Sequence, residues 1–525
     1  MSDLIELKDK TLIDLLLEEQ QTLDTPVGRF AEEAESTGAP EHSDLIPLSA
    51  PKPGEQYAFK VNLDLCSGCK GCVTACHSLN GLDENETWRD VGLLLGENES
   101  GAYQQTVTTA CHHCVDPACL NGCPVNAYEK DPVSGIVLHL DDQCIGCQYC
   151  VLKCPYDVPK YSSKRGIVRK CDMCHSRLSS GEAPACVQAC PHGAITITTV
   201  DKGEASERSR DPESFLPDAP EPAYTQPTTR YVSKKQLPKR MVAGDAHVLR
   251  PQHTHWPLVG LLALSQIGIG GHLGLAALWN QLEVGAATLA LGAFWAILHA
   301  GLLCSVLHLG QPLKAWRIFV GFKHSWLSRE AVALGVVSAL STSAFAMSVG
   351  NYFGVSIPVV ETGAFVPLAL WASSLMGLVG VMTSVFIYVD TQRSFWRMSY
   401  TGSKFYGSVM LGGLASIALA SGQDPLLFSL AFSVVVFGKL VLEVRSIQDN
   451  FQSEGIATKV LSTLWKSRLT LGAGVGILVP VLSFSLNQPA LFLVALLGVV
   501  ASEVMERIIY FKAVNAPKMP GGLNG

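Results

Sequence analysis

The sequence predicts an α+β ferredoxin-like domain holding four [4Fe-4S] clusters, followed by an all-α eight-helix transmembrane bundle. Three observations lead there. Sixteen of the 17 cysteines fall into four groups of four before residue 191, charge is concentrated before about residue 231, and eight long apolar runs follow Trp256. The 525 residues divide on this basis into 1–53, 54–200, 201–250 and 251–525. A net charge of -7 with no basic, aromatic-studded face argues against nucleic acid as a partner.

Residues 1–53 begin MSDLIELKDK, with acidic residues where a signal peptide carries a basic region, so no cleaved export signal is expected. Leu4, Leu7, Leu12, Leu15, Leu16 and Leu17 are spaced as on an amphipathic helix reaching towards Phe30. Such a helix either folds back on its own domain or lies on a partner subunit.

Residues 54–200 contain the cysteine groups: Cys66, Cys69, Cys72 and Cys76; Cys111, Cys114, Cys119 and Cys123; Cys144, Cys147, Cys150 and Cys154; Cys171, Cys174, Cys186 and Cys190. The first and third have the bacterial ferredoxin spacing CxxCxxCxxxC, in which the fourth cysteine crosses to a second cube, so groups are read in pairs. Proline follows the last cysteine at Pro124, Pro155 and Pro191, whereas the first group has His77 there. Zinc ribbons need two CxxC pairs and no CxxxCP, and disulfides seldom persist in a chain made without an export signal. The runs AITITTV and GIVLHL read as short strands. Several redox centres in line, with no substrate pocket beside them, form a conductor, because cofactors carry the chemistry and the chain spaces them.

Residues 201–250, rich in proline and charge, read as a tether. The apolar runs then lie at 257–279, 286–308, 331–349, 364–388, 406–421, 426–442, 470–486 and 489–507. Most are near the ~20 residues that cross hydrocarbon. Lys and Arg cluster before the first run and after every even-numbered one, while the intervening segments 280–284, 350–363, 421–425 and 486–489 contain neither. The positive-inside rule places both termini and the cysteine-rich domain on the cytoplasmic side of the inner membrane.

His308 closes the second run on the basic side. A lipid quinol releases two protons with its two electrons, and imidazole at membrane depth is a suitable acceptor. The competing reading is a helix-end histidine that hydrogen-bonds backbone carbonyls. Lys314 and Trp316 follow at the same interface and are further candidates to bind a headgroup oxygen or stack on the ring. His272 and His299 could face each other, but no histidine follows His324, so a two-haem anchor is excluded and no haem is expected. Cys304 reads as a small packing residue.

CHHCVDPAC, CIGCQYCVLKCPYDVPKY and CVQACP, followed by HWPLVG and HLGQPLKAWRIFVGFKHSWLSRE, give the chain a resemblance to two subunits joined end to end. Residues from about Tyr57 to Val200 resemble the four-cluster subunit of the dimethyl-sulfoxide reductase family, and those from about Trp256 to Lys518 its membrane anchor. The resemblance implies that Cys66, Cys69 and Cys72 share a cube with Cys190, and Cys171, Cys174 and Cys186 one with Cys76. It pairs Cys111, Cys114 and Cys119 with Cys154, and Cys144, Cys147 and Cys150 with Cys123. It further implies menaquinol from the membrane quinone pool bound near His308, and a molybdopterin-containing catalytic subunit as partner. Relatives usually make the two halves as separate chains, and residues 1–53 have no counterpart in the resemblance. The rival expectation is a membrane-tethered polyferredoxin serving soluble reductases, with a purely structural anchor in the lipid bilayer.

Overall fold

The computed structural model describes residues 45–522 apart from 85, 99–100, 239, 249, 356–361, 422–424, 455–456 and 487–488. The amphipathic helix expected near the N-terminus lies outside the described residues.

The cysteine-rich part is built from two small sheets and two hairpins. Strand β1 (Glu55–Asn62) pairs antiparallel with β8 (Ile195–Asp201) and parallel with β9 (Arg230–Val232). Strands β2 (Asp90–Asn98) and β3 (Gly101–Thr109) form a hairpin that β10 (Met241–Ala243) extends. The hairpins β4 (Tyr128–Lys130) with β5 (Val137–His139), and β6 (Lys160–Ser162) with β7 (Ile167–Arg169), lie between the second, third and fourth cysteine groups. Phe59, Val61, Val91, Leu94 and Ile197 bury their side chains in one core with Cys72, Cys76, Cys171 and Cys186. Full burial of an aliphatic or aromatic side chain contributes about 1.5–3 kcal/mol. The residues AITITTV end in β8 and GIVLHL contains β5, as their alternation suggests.

Segment 201–250 is not a tether. It carries a helix, Lys202–Arg208, capped by Asp201, whose side chain accepts from the Glu204 N–H at 2.8 Å, and then supplies β9 and β10 to both sheets. Its prolines and charges sit in a strap that satisfies the edges of β1 and β2, which would otherwise expose unpaired backbone groups.

Helices dominate the described residues from Trp256 on: Trp256–Leu278, Val284–Leu307, Trp326–Tyr352, Thr362–Val389, Met398–Ser421, Pro425–Glu454, Ala457–Ala473 continuing through a π-helical stretch, Gly474–Leu478, into Val479–Ser485, and Pro489–Lys512. Among the described residues four stretches, Trp256–Gln281, Val284–Leu307, Trp326–Tyr352 and Ala364–Val389, are long and apolar enough to cross a membrane by length and composition. Small residues let the helices approach closely, as is usual where lipid supplies no hydrophobic drive between them. A Cβ on Gly270 of the Trp256 helix would lie 1.9 Å from the Val409 carbonyl oxygen of the Met398 helix. The Pro425 and Ala457 helices run beyond the apolar stretches read from sequence and carry buried charges: Lys439 lies 2.5 Å and Arg468 3.1 Å from Glu503.

Candidate functional site

The cysteines surround cavities instead of converging on points. Cys111, Cys114, Cys119 and Cys154 line one cavity, together with His112, His113 and Lys170. Cys66, Cys69, Cys72 and Cys190 line another. Among the described residues no group of three or more Cys, His, Asp or Glu is close enough to hold a single metal ion. Thiolates spread around a void suit a polynuclear cluster, in which each sulfur binds a different iron.

Unpaired polar atoms point the same way. Arg89 is wholly buried near Cys72, Cys76, Cys171 and Cys186, and its Nε and Nη2 have no hydrogen-bond partner among the described residues. His112 and His113, in the wall of the Cys111 cavity, each leave Nε2 unpartnered. Burial pushes the Cys76 and Cys154 thiols up to about 12. A thiolate at either position is therefore favoured only beside a compensating positive charge.

One-turn helices present the cysteines. Tyr149–Lys153 follows Gln148, whose φ of 59° turns the chain sharply after Cys147, and Ala118–Gly122 carries Cys119. The loops beside these helices dock on the segment from His308 to Ser325. Gln311 donates its N–H to the Ile145 carbonyl (3.0 Å) and its Nε2 to Arg165 (2.8 Å). Gly321 N–H reaches the Pro124 carbonyl at 2.8 Å, Ser325 Oγ donates to Gly122 (2.7 Å), and His324 Nε2 lies 2.9 Å from the Cys123 carbonyl. From the helices, Lys153 meets Asp390 at 2.6 Å and Tyr149 donates its hydroxyl to the Ile387 carbonyl at 3.2 Å. Glycines make the closest approach possible. A Cβ on Gly310 would sit 2.1 Å from the Gly166 carbonyl oxygen, and one on Gly146 would lie 2.3 Å from the same atom.

Beneath this contact lies a mainly apolar cavity of about 310 Å3. Cys147, Tyr149 and Leu152 close it from the cysteine-rich side, and Leu261, Leu302, Leu334 and Ile387 form its apolar walls. Its polar lining includes His308, Glu330 and Tyr388. His308 Nε2 lies 3.1 Å from the Cys147 carbonyl oxygen. The histidine thus does engage a backbone carbonyl, but one belonging to a cysteine loop of the other half.

Two site candidates are displaced from this cavity. Lys314 donates to the Asp142 carbonyl at 2.8 Å, and Trp316 is largely exposed; neither lines the cavity. Both sit in the 3-10 helix Pro312–Phe319, which spends Lys314 on docking. Glu330, one turn into the Trp326–Tyr352 helix, is missed by a sequence reading that weighs only basic residues along the spans. His299 has its ring nitrogens near the Trp295 carbonyl (2.8 Å) and Ser338 Oγ (2.9 Å), and His272 is buried.

Comparison with known proteins divides the chain at the same place. Residues 103–200 match the family described as a 4Fe-4S dicluster domain, and residues 251–512 match the DMSO reductase anchor subunit. Among curated proteins, the B subunit of the anaerobic dimethyl sulfoxide reductase of Haemophilus influenzae is 37% identical over 157 residues, 28% of this chain and 76% of the relative. Its namesake from Escherichia coli strain K12 is 34% identical over 180 residues, 33% of this chain and 86% of the relative. The formate dehydrogenase-O iron-sulfur subunit of E. coli K12 is 34% identical over 173 residues, 29% of this chain and 57% of that subunit.

Proposed function

Because the chain belongs to the dimethyl sulfoxide reductase family, joining an iron-sulfur subunit to a membrane anchor subunit, we propose that it conducts electrons from menaquinol in the bilayer to a separate molybdopterin catalytic subunit. The observation that supports this is the cavity shared by His308 and Cys147. An apolar pocket of a few hundred cubic ångströms with a few convergent polar groups is the ordinary form of a small-molecule site.

Four [4Fe-4S] clusters would supply one-electron acceptors in sequence. Cys144, Cys147 and Cys150 with Cys123 would hold the one beside the cavity. Cys111, Cys114 and Cys119 with Cys154, and Cys66, Cys69 and Cys72 with Cys190, would each hold another, as the cavities they line support. Cys171, Cys174 and Cys186 with Cys76 complete the set. His308, with Nε2–H directed at the Cys147 carbonyl, keeps the lone pair on Nδ1 and takes a proton from the quinol hydroxyl there. Glu330, whose carboxylate has Ser384 as its hydroxyl partner, provides a second acceptor in the same wall. Leu261, Leu302 and Leu334 exclude water and hold the ring.

We read all eight apolar stretches as membrane crossings, with both termini and the iron-sulfur domain on the cytoplasmic face of the inner membrane, as the distribution of Lys and Arg supports. Reduced menadione added to the purified, iron-loaded chain should bleach the cluster absorbance, and His308→Ala should abolish that bleaching with iron content intact. Bleaching at the wild-type rate in the variant would remove the site assignment and favour a structural anchor.

A further inference from the structure

We propose that His255 and His253 form the proton outlet of the cavity, carrying protons from His308 to water on the iron-sulfur side. The inference rests on the quinol reading above. The His308 ring stands edge-on to His255, with centroids 4.9 Å apart and planes at 85°. His255 in turn meets His253 at 4.8 Å and 66°. Three imidazoles thus step outward from the cavity wall: His308 and His255 are half-buried and His253 is exposed.

The local sequence produces this row. In PQHTHW the chain approaches the Trp256 helix extended, with His255 as its N-cap at φ -82° and ψ 94°. Alternate residues of an extended chain face the same way, so His253 and His255 share a side while Thr254, between them, is buried. Among the described residues no hydrogen bond or ion pair ties the ring nitrogens of His253 or His255 to a side chain, unlike the charges deeper in the helices, which are held in pairs.

Burial, with the neighbouring His308 and His253 adding to it, holds His255 down at about 3, so the ring rests neutral. A neutral imidazole has one N–H to give and one lone pair to receive, and so passes a proton on instead of trapping it. Oxidation of one quinol breaks two O–H bonds, sends two electrons to the clusters and leaves quinone and two protons. Passing each proton along the row keeps net charge from accumulating in the cavity.

The test uses the full iron-loaded chain in liposomes, reduced menadione as donor and ferricyanide as final oxidant. His255→Ala should slow sustained quinol oxidation about tenfold or more, leave iron content and the amplitude of the first bleaching unchanged, and recover on addition of free imidazole. His255→Gln, which keeps a hydrogen-bonding side chain but cannot shuttle, should be equally slow, and His253→Ala should lose less because water reaches that position. A wild-type rate in His255→Gln, or a loss in His255→Ala that imidazole does not restore, overturns the outlet. If the wild-type protein itself shows no bleaching by reduced menadione, the quinol reading falls first; sustained quinol oxidation at one rate in wild type and variants, with bleaching intact, would refute the outlet alone.

Discussion

Gly310→Ala places one methyl group where the two halves of the chain touch. The added carbon would lie 2.1 Å from the Gly166 carbonyl oxygen and 2.7 Å from the Tyr161 hydroxyl. Ordinary carbon-oxygen contact requires about 3.4 Å, so the loop must retreat by roughly 1.3 Å. Gly166 has a φ of +67° and Gly146 of +69°, conformations in which glycine is the natural occupant, so the opposing surface is poorly placed to yield. Retreat breaks the two Gln311 hydrogen bonds and lengthens the 3.1 Å separation of His308 Nε2 from the Cys147 carbonyl. At about 0.5–1.5 kcal/mol per hydrogen bond, the junction loses roughly 1–3 kcal/mol. A misplacement of this size at a reacting centre lowers rates by up to about a hundredfold. Hydrogen exchange at the Gln311 amide should accelerate, and bleaching by reduced menadione should slow by at least tenfold with iron content unchanged. Gly402→Ala is the control, because a Cβ there has open space. Wild-type exchange and wild-type bleaching in Gly310→Ala would show that the close approach does not couple the halves.

Glu503, the buried carboxylate shared by Lys439 and Arg468, should be costly to neutralise: Glu503→Gln should cost about 3–5 kcal/mol, and adding Lys439→Met should recover part of that loss, as thermal unfolding in detergent would show. Cys111→Ser should remove roughly a quarter of the bound iron if its cavity holds one of four cubes, and iron analysis against protein concentration tests it. Stripping iron completely should unfold the β1 and β2 sheets, because their shared core contains the thiols of Cys72, Cys76, Cys171 and Cys186; loss of far-ultraviolet strand signal and rapid proteolysis within residues 54–250 are the expected results. Persistence of the sheets without iron would mean that the apolar residues suffice.

What is legible in the sequence is local. Ligand spacing within a cysteine group is set by a turn and one helical turn, so CxxCxxCxxxC announces its chemistry without knowledge of the fold. The meeting of Cys111 with Cys154 depends on the path of the β4–β5 hairpin between them, and no spacing rule contains it. His308 is conspicuous because imidazole ends an apolar run, but its neighbours in sequence mislead: the 3-10 helix after Pro312 sends Lys314 to Asp142 and leaves Trp316 exposed. Glu330, 22 positions away on the next helix, reaches the cavity instead. The 201–250 strap reads as a tether because β9 and β10 are three residues each, too short to show alternation, and prolines are as compatible with a packed edge as with a flexible linker.

The charged residues of the last helices follow from the same distinction between composition and packing. Lys404, Lys439, Arg468 and Arg507 are buried with Glu443, Glu503 and Glu506. Counted along the chain, these residues make the Met398, Pro425, Ala457 and Pro489 helices less apolar than the Trp256 and Val284 helices. In the fold they face one another: Lys439 donates to Glu503 (2.5 Å) and Ser408 (2.9 Å), Arg468 reaches Glu503 (3.1 Å) and Glu443 (3.3 Å), and Arg507 donates to Gln266 (2.6 Å) of the Trp256 helix. An unpaired charge in hydrocarbon costs several kcal/mol, so a helix rotated or shifted by one turn would strand charges that this arrangement pairs. The ion pairs therefore fix the register of the later helices against one another, and the Arg507 hydrogen bond to Gln266 ties them to the Trp256 helix, whose N-terminus carries His255. By this route the position of the histidine row beside the cavity depends on residues more than 240 positions further along the chain.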